Sequence, residues 1–440
     1  KFMEKQKNTT GDNVWSTWTS LYFVSSGLIQ KNYVLKSKNS MICSLNRDVN
    51  RRELLKSSSV LPISYVISLF GMTNNIPSAR AEETFNATKV CKNVKTQESI
   101  EVVMRPLKSD GDSEALFELT QMIGWSNSLR DITRLVVHST NTVHSTLTLG
   151  FFENSMNSNK QRLVSTATVC VFGNRMNDKL GWVSYVMTHP EFRRQGLAYD
   201  LCKVLIDEFG TKQKVTLGLY ASESGSPLYR KLGFVEDLSN GMDSSRLRLK
   251  SGSLSKSDLK LLSDRKSTLE KEKSLYGFHR IDNKLLLEKI VRKDSDLRGG
   301  YGLQDILRDL VDDFPASAWC CVEKQSGQIC GFAFGRLLHS KSGVWIGPVW
   351  SERDAISAEL VRRVVLSSSA QRDRLDQNFT VETLVSNETS ENCFFPELQL
   401  KPSSSPSLLM LRDESSDGKL PHVVASNLLK FSATCAFEYS

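Results

Sequence analysis

Apolar positions along this chain fall into short runs whose spacing switches between that of strands and that of helices. Residues 100–105 alternate weakly and predict an opening strand. Leu116, Phe117, Leu119 and Met122 recur at helical spacing over 113–122, with Ser113 as a candidate N-cap. Gly124 and Trp125 break that pattern, and a second helix is expected over 128–138. Strands are predicted at 146–152, 163–172 and 180–188, divided by a loop at 153–160 and a turn at 174–178. Leu201, Val204, Leu205 and Phe209 then mark a helix over 199–209. A strand at 215–220, a short helix around Tyr229 and closing strands from Phe234 and over 245–250 complete a first set. Residues 82–97 read as a linker ahead of it.

Residues 251–276 are rich in Ser, Lys, Glu and Asp, with leucines spaced as on an exposed helix, and read as a connector. A second set begins at Gly277. Leu303, Ile306, Leu307 and Leu310 line one face of a helix over 301–314. Strands follow at 318–323, 329–338 and 344–349, the last ending at Pro348. A helix at 355–366 and a strand at 379–385 come next, then a Ser- and Pro-rich loop at 401–420 and a last element over 423–437. The order hairpin, strand, proline, helix, strand occurs in both sets. It predicts an α/β protein with a mixed sheet in two folded parts, 98–250 and 277–440.

The stretch 182–198 concentrates the candidate chemistry. A strand runs into Pro190, which ends pairing, and then into Arg193-Arg194-Gln195-Gly196-Leu197-Ala198 at the start of a helix. Gly196 permits close backbone approach, and the helix start aims N–H groups and a positive dipole end at one point. With Arg193 and Arg194 this is an anion site suited to a pyrophosphate. The matching stretch in the second set, residues 350–357, holds no glycine and carries Glu352 and Asp354, which disfavour a phosphate.

The Arg193–Ala198 turn resembles the acetyl-CoA signature of the GCN5-related N-acetyltransferases, Arg/Gln-x-x-Gly-x-Gly/Ala. A second block, Ser226-Pro227-Leu228-Tyr229-Arg230-Lys231-Leu232-Gly233-Phe234, is similar to that family's Leu-Tyr-x-x-x-Gly-Phe motif. Gly124-Trp125, Asp131, Gly225–Phe234 and Trp345-Ile346-Gly347-Pro348-Val349 resemble tandem members. The resemblance implies two acyl-CoA N-acyltransferase folds in tandem, the first catalytic and the second degenerate, covering or completing the amine pocket. It implies acetyl-CoA as donor, no metal, and transfer to an amine of a small molecule or protein by direct attack in a ternary complex. It further implies cofactor contacts from Val186, Met187 and Thr188 and from the turn Arg193, Arg194, Gln195, Gly196, Leu197 and Ala198, with Tyr229 as the acid that protonates the leaving thiolate. Two positions depart from the pattern. Ser222 stands where an Asn often contacts the cofactor, and Gly225 where Ala is common. The strand also lacks the Glu many members use as base; His189, Glu191 and Asp131 are candidates, and none is assigned. A non-catalytic acyl-CoA-binding or regulatory protein is the alternative.

Charge and composition narrow the class. The net charge of +8 is concentrated in residues 1–81, with eleven Lys and Arg against four Asp and Glu; the rest has 46 against 45. A near-neutral folded part argues against nucleic-acid binding. Nine scattered cysteines without a CxxC pair suggest free thiols. No acidic residue falls between Asp12 and Asp48; Arg51-Arg52, an apolar run over 60–72 and Ala79-Arg80-Ala81 follow. This reads as a disordered bipartite targeting presequence, a transit segment and then a twin-arginine one, delivering the protein to the chloroplast stroma or thylakoid lumen. A cytoplasmic protein with an uncleaved tail is the alternative. The apolar run is too short for a stable membrane anchor. Oligomeric state has no signal here.

Overall fold

The computed structural model describes residues 22–25, 28–31, 431 and 85–413, the last apart from 138–144, 155–160, 174–178, 238–245, 266, 268, 273, 340–342, 371–375, 386–397 and 404. Within residues 1–76, β1 (Tyr22–Ser25) pairs antiparallel with β2 (Leu28–Lys31). The rest of the expected presequence lies outside the described residues, as do the loop at 155–160, the turn at 174–178 and nearly all of the element expected over 423–437.

Residues 77–440 form one compact unit. Its first half comprises β3 (Ala87–Lys92), β4 (Ser99–Pro106), α1 (Asp110–Met122), α2 (Leu129–Val137), β5 (Ser145–Glu153), β6 (Leu163–Gly173), β7 (Lys179–Thr188), α3 (Leu197–Leu205), β8 (Thr216–Ala221), α4 (Ser226–Lys231), β9 (Val235–Glu236) and β10 (Arg246–Ser255). The second comprises α5 (Lys256–Asp264), β11 (Tyr276–Arg280), α6 (Lys284–Leu297), α7 (Gln304–Asp313), β12 (Ala318–Glu323), β13 (Ile329–Leu337), β14 (Val344–Ser351), α8 (Asp354–Ser369), β15 (Asp376–Leu384), β16 (Lys401–Pro402) and β17 (Ser407–Arg412). Ser109, not Ser113, caps α1. Its Oγ accepts from Asp112 N while the Asp112 carboxylate accepts from Ser109 N, which satisfies two otherwise open donors.

A single mixed sheet runs through both halves in the order β11-β12-β13-β14-β15-β10-β17-β8-β7-β6-β5-β4-β3. Its centre is an exchange. β10 leaves the first half to pair with β15 from Leu247↔Leu384 to Ser255↔Asp376. β17 comes back from the second half to pair with β8 from Leu408↔Ala221 to Arg412↔Leu217. Three expected boundaries change accordingly. Position 250 falls inside β10. The connector 251–276 holds the end of β10 and the capped helix α5, which buries Leu262. The loop at 401–420 contains β17, because Leu408–Leu411 is an apolar run that fills a gap in the sheet despite its Ser- and Pro-rich surroundings. The linker at 82–97 likewise contains β3.

Burial follows the same division. The outer face of the first half packs α3 and α4 residues Leu201, Leu205 and Tyr229 on Val169 and Leu217. In the second half Ile356, Leu360 and Val364 of α8 cover Ile346 and Val381. The inner face is shared: Leu116, Ile132 and Trp182 belong to one core with Ile290, Leu307, Phe332 and Trp350. Arg134 of α2 pairs with Asp313 of α7 across this boundary.

Candidate active site

β7 and β8 run parallel for three residue pairs only, Leu180↔Thr216, Gly181↔Leu217 and Trp182↔Gly218. Beyond Trp182 they part, and β8 continues against β17 on its other side. A bulge accompanies the parting. Between Thr166↔Met187 and Thr168↔Ser184, β7 spends one residue more than β6, and Tyr185 adopts φ 49°. Tyr185 is held there by the fit of its ring in the core and by Asn127 Nδ2, which donates to its hydroxyl at 3.0 Å. The β8-facing edge of β7, including Val186, Met187 and Thr188, is therefore free of strand pairing. Its backbone N–H and C=O groups can bind an extended chain such as a pantetheine.

The free edge leads into the turn. His189 opens a short 3-10 turn, Pro190–Phe192, whose Phe192 is buried in the outer core. Arg193 and Arg194 are exposed, Arg194 at φ 62°, and Arg193 Nε donates to Thr188 O at 3.3 Å. Gly196 stands at the N-terminus of α3 at φ 79°, a left-handed conformation that glycine adopts without strain. Leu197 anchors the first helical turn in the core, and Ala198 is half-buried. The turn thus projects two cations and open N–H groups from a fixed base.

Two contacts at this turn come from a segment with no readable site signal. Lys89 of β3 donates to Asp200 of α3 at 2.6 Å, and its Nζ lies 3.3 Å from where a Cβ on Gly196 would stand. The Gln195 side-chain amide is tied to the Lys92 backbone, accepting from its N at 2.7 Å and donating to its O at 2.5 Å. Gln195 therefore braces the turn against β3, and Lys89 adds a third cation beside the glycine. Partners 111 positions apart leave no local pattern by which Lys89 stands out in the sequence.

Tyr229 lies on α4, buried beside Cys202 and edge-on to Phe234. Burial pushes its phenol far above the ordinary range, and Cys202 adds to this, so it stays protonated and able to donate. Gly225 has a structural reason: a Cβ there would stand 3.2 Å from Tyr229 Cε2 and 3.1 Å from Ser222 Oγ. Ser222 Oγ itself accepts from Gly225 N at 3.2 Å, which shapes the lead-in to α4.

The three candidate bases are occupied. His189 is buried and bonded to Arg162, and burial followed by the Arg162 charge lowers its pKa. Glu191 accepts from Arg162 at 3.0 Å and from Asn93 at 3.2 Å. Asp131 accepts from Ser128 at the start of α2 and lies 3.9 Å from Arg336 of the second half. Beside His189, a cleft of about 230 Å³ runs between α1 and the start of β6, lined by Leu119, Met122, Arg162 and Leu163. Among the described residues no group of His, Cys, Asp and Glu is arranged to hold a metal ion, and no helix is long and apolar enough to cross a membrane.

In the second half, β14 and β15 also run parallel for three pairs, Val344↔Phe379, Trp345↔Thr380 and Ile346↔Val381, before parting. The turn that follows differs. Arg353 precedes α8 without a side-chain cap and spends its guanidinium on Glu272 and the Tyr276 hydroxyl.

Residues 156–236 match the family description "Acetyltransferase (GNAT) domain". No curated protein sequence matches the chain. Among solved structures, a putative acetyltransferase from Pyrococcus horikoshii is similar at 12% identity and TM-score 0.50, covering 76% of this chain and 95% of that one. A GCN5-related N-acetyltransferase from Sphaerobacter thermophilus has 14% identity and TM-score 0.46, covering 73% and 98%. A tandem GNAT protein from the clavulanic acid biosynthesis pathway has 11% identity and TM-score 0.47, covering 72% and 99%. The split strands, the glycine turn and the matched segment coincide, and this chain carries a domain of the GCN5-related N-acetyltransferase (GNAT) superfamily of acyltransferases.

Proposed function

We propose that the protein transfers an acetyl group from acetyl-CoA to an amine in a ternary complex. The observation that carries this reading is the free edge of β7, which runs from the parting at Trp182 to the glycine turn at Gly196. The pyrophosphate would sit on the N–H groups of the turn with Arg193, Arg194 and Lys89, and the pantetheine would pair with Val186, Met187 and Thr188. The thioester would then lie in the split. The amine nitrogen attacks the thioester carbonyl, and the oxyanion draws on backbone N–H groups at the bulge. Collapse forms the C–N bond and breaks the C–S bond, and Tyr229 protonates the departing sulfur. The amine proton passes to water, since His189, Glu191 and Asp131 are bound elsewhere.

Calorimetric titration of residues 77–440 with acetyl-CoA, then thiol release over a panel of amines, tests this. Binding with release supports the enzyme. Binding without release across the panel favours the acyl-CoA-binding alternative, for which the occupied bases speak. Absence of binding overturns the cofactor assignment. The presequence composition supports delivery of the protein to the plastid; fusing residues 1–81 to a fluorescent protein and imaging plant cells tests that, and a cytoplasmic signal overturns it.

A further inference from the structure

Among the buried side-chain polar atoms of the described residues without a hydrogen-bond partner are three donors, Ser184 Oγ, Tyr220 Oη and Arg298 Nη2. Register brings the first two together. Trp182 stands opposite Gly218, so two residues further along both strands Ser184 and Tyr220 flank the mouth of the split, on the same inner face as Trp182. The Trp182 and Tyr220 rings lie 5.3 Å apart. Arg298 comes from the second half, at the end of α6. Its Nε donates to the fully buried Asp294 at 2.9 Å, and its Cζ lies 4.2 Å from the Phe431 ring centroid. Tyr220 stands opposite Leu409, whose carbonyl accepts from Asp237 N at 3.1 Å, so Asp237 lies beside it, and Glu382 and Arg298 are the other charges that act on the Tyr220 phenol.

A buried polar atom without a partner weakens the fold, and native structures keep few of them. Here three gather where β7 opens, and each can donate. Three unpartnered donors fit a ligand that brings acceptor oxygens, and a guanidinium with an open N–H fits a carboxylate in particular. The carboxylates of Glu382 and Asp237 on the other side of Tyr220 set a negative field that draws in an amine.

We propose that the two halves together form an acceptor site at this mouth, and that it takes a small amino-carboxylate, with the carboxylate on Arg298 and the hydroxyls of Ser184 and Tyr220 and the amine turned toward the split. The assignment of this ligand as acceptor rests on the acetyl-CoA reading; its binding does not. The second half is then part of the site rather than a cover, and strand exchange is what holds its Arg298 in place.

The test uses glycine, L-alanine, L-lysine and L-phenylalanine, each beside the amine left when its carboxylate is removed. Binding is measured by calorimetry with and without CoA, and turnover by thiol release. At least one amino acid is expected to bind and react at least about tenfold better than its matched amine, the ratio a charge-assisted hydrogen bond supports. Ser184→Ala and Tyr220→Phe remove hydroxyls that have no partner in the free protein. They are expected to leave Tm unchanged or raised, to leave acetyl-CoA affinity unchanged, and to raise KM for the amino acid roughly three- to tenfold. Arg298→Lys keeps a charge for Asp294 and is expected to raise that KM further while sparing the matched amine. Equal use of acids and matched amines, no binding of any of the four acids, or hydroxyl variants with wild-type KM would each overturn the proposal. Amino-acid binding without acetyl-CoA binding would keep the carboxylate site and discard the cofactor reading; acetyl-CoA turnover indifferent to the carboxylate would do the reverse.

Discussion

Both halves let a strand run parallel to its neighbour for three pairs and then part from it, yet the first parting leads to an open cationic turn and the second does not. The difference lies in a few residues after the strand. In the first half Gly196 takes a left-handed conformation, the helix start stays open, and Arg193 and Arg194 face solvent. In the second, Arg353 takes the place before the helix with an ordinary extended conformation and is bound to Glu272. The same scaffold thus presents an open cationic turn in one half and a bound arginine in the other. A fold can keep its strand geometry, which the core enforces, while its site chemistry drifts, since that depends on exposed turn residues the core does not constrain.

The largest effect that tests this contrast is expected from Gly196→Glu. A carboxylate and a strained backbone at the turn should abolish acetyl-CoA binding by titration, whereas Arg353→Gly should leave affinity unchanged; equal losses would erase the distinction between the halves. Next, the halves should melt together, because β17 completes the sheet of the first half and the inner core is common. Met410→Ala on β17, fully buried in the outer core of the first half, should cost about 2–5 kcal/mol in chemical denaturation with a single transition; two separate transitions would argue for independent domains. Tyr229→Phe should reduce kcat roughly 100-fold at unchanged acetyl-CoA affinity, the scale of a lost general acid. A smaller effect, roughly tenfold, is expected on acetyl-CoA affinity from Lys89→Ala, while Asp200→Asn should tighten binding by freeing the ammonium for phosphate; losses in both variants would make the pair purely structural.

The smallest effect concerns pH and α8. Burial alone would raise the Glu359 pKa, but hydrogen bonds and charge from Arg362 and Arg363 outweigh it and hold it below its ordinary value. A carboxyl depressed in the folded state contributes stability above its unfolded pKa and loses it as pH falls through the folded one. Glu359→Gln should therefore cost about 1–3 kcal/mol at neutral pH and flatten the acid limb of a stability profile. Unchanged acid sensitivity would assign that limb to other carboxylates.

Much of this was legible in the sequence because it is local. The strand 318–323, the Tyr229 helix and the glycine turn follow from periodicity and from what Gly196 alone can do, and the Arg193–Ala198 and Ser226–Phe234 blocks fall within the segment that matches the GNAT domain. Local signals also misled. Helix α6 went unread because its leucines come as the consecutive run Leu285–Leu287 rather than at helical spacing, and β17 was hidden by serines and prolines whose loop preference yields to a vacant sheet edge.

What only the tertiary structure decided is the company these elements keep. Which strand fills the place beside β8, which lysine reaches Gly196, and which aspartate takes up Arg134 are pairings between residues far apart in the chain. Propensity and spacing are set by neighbours within a turn or two and can be read directly. Strand exchange and a core shared between halves are set by which long-range arrangement buries the most apolar surface at once, and no short stretch of sequence carries that information.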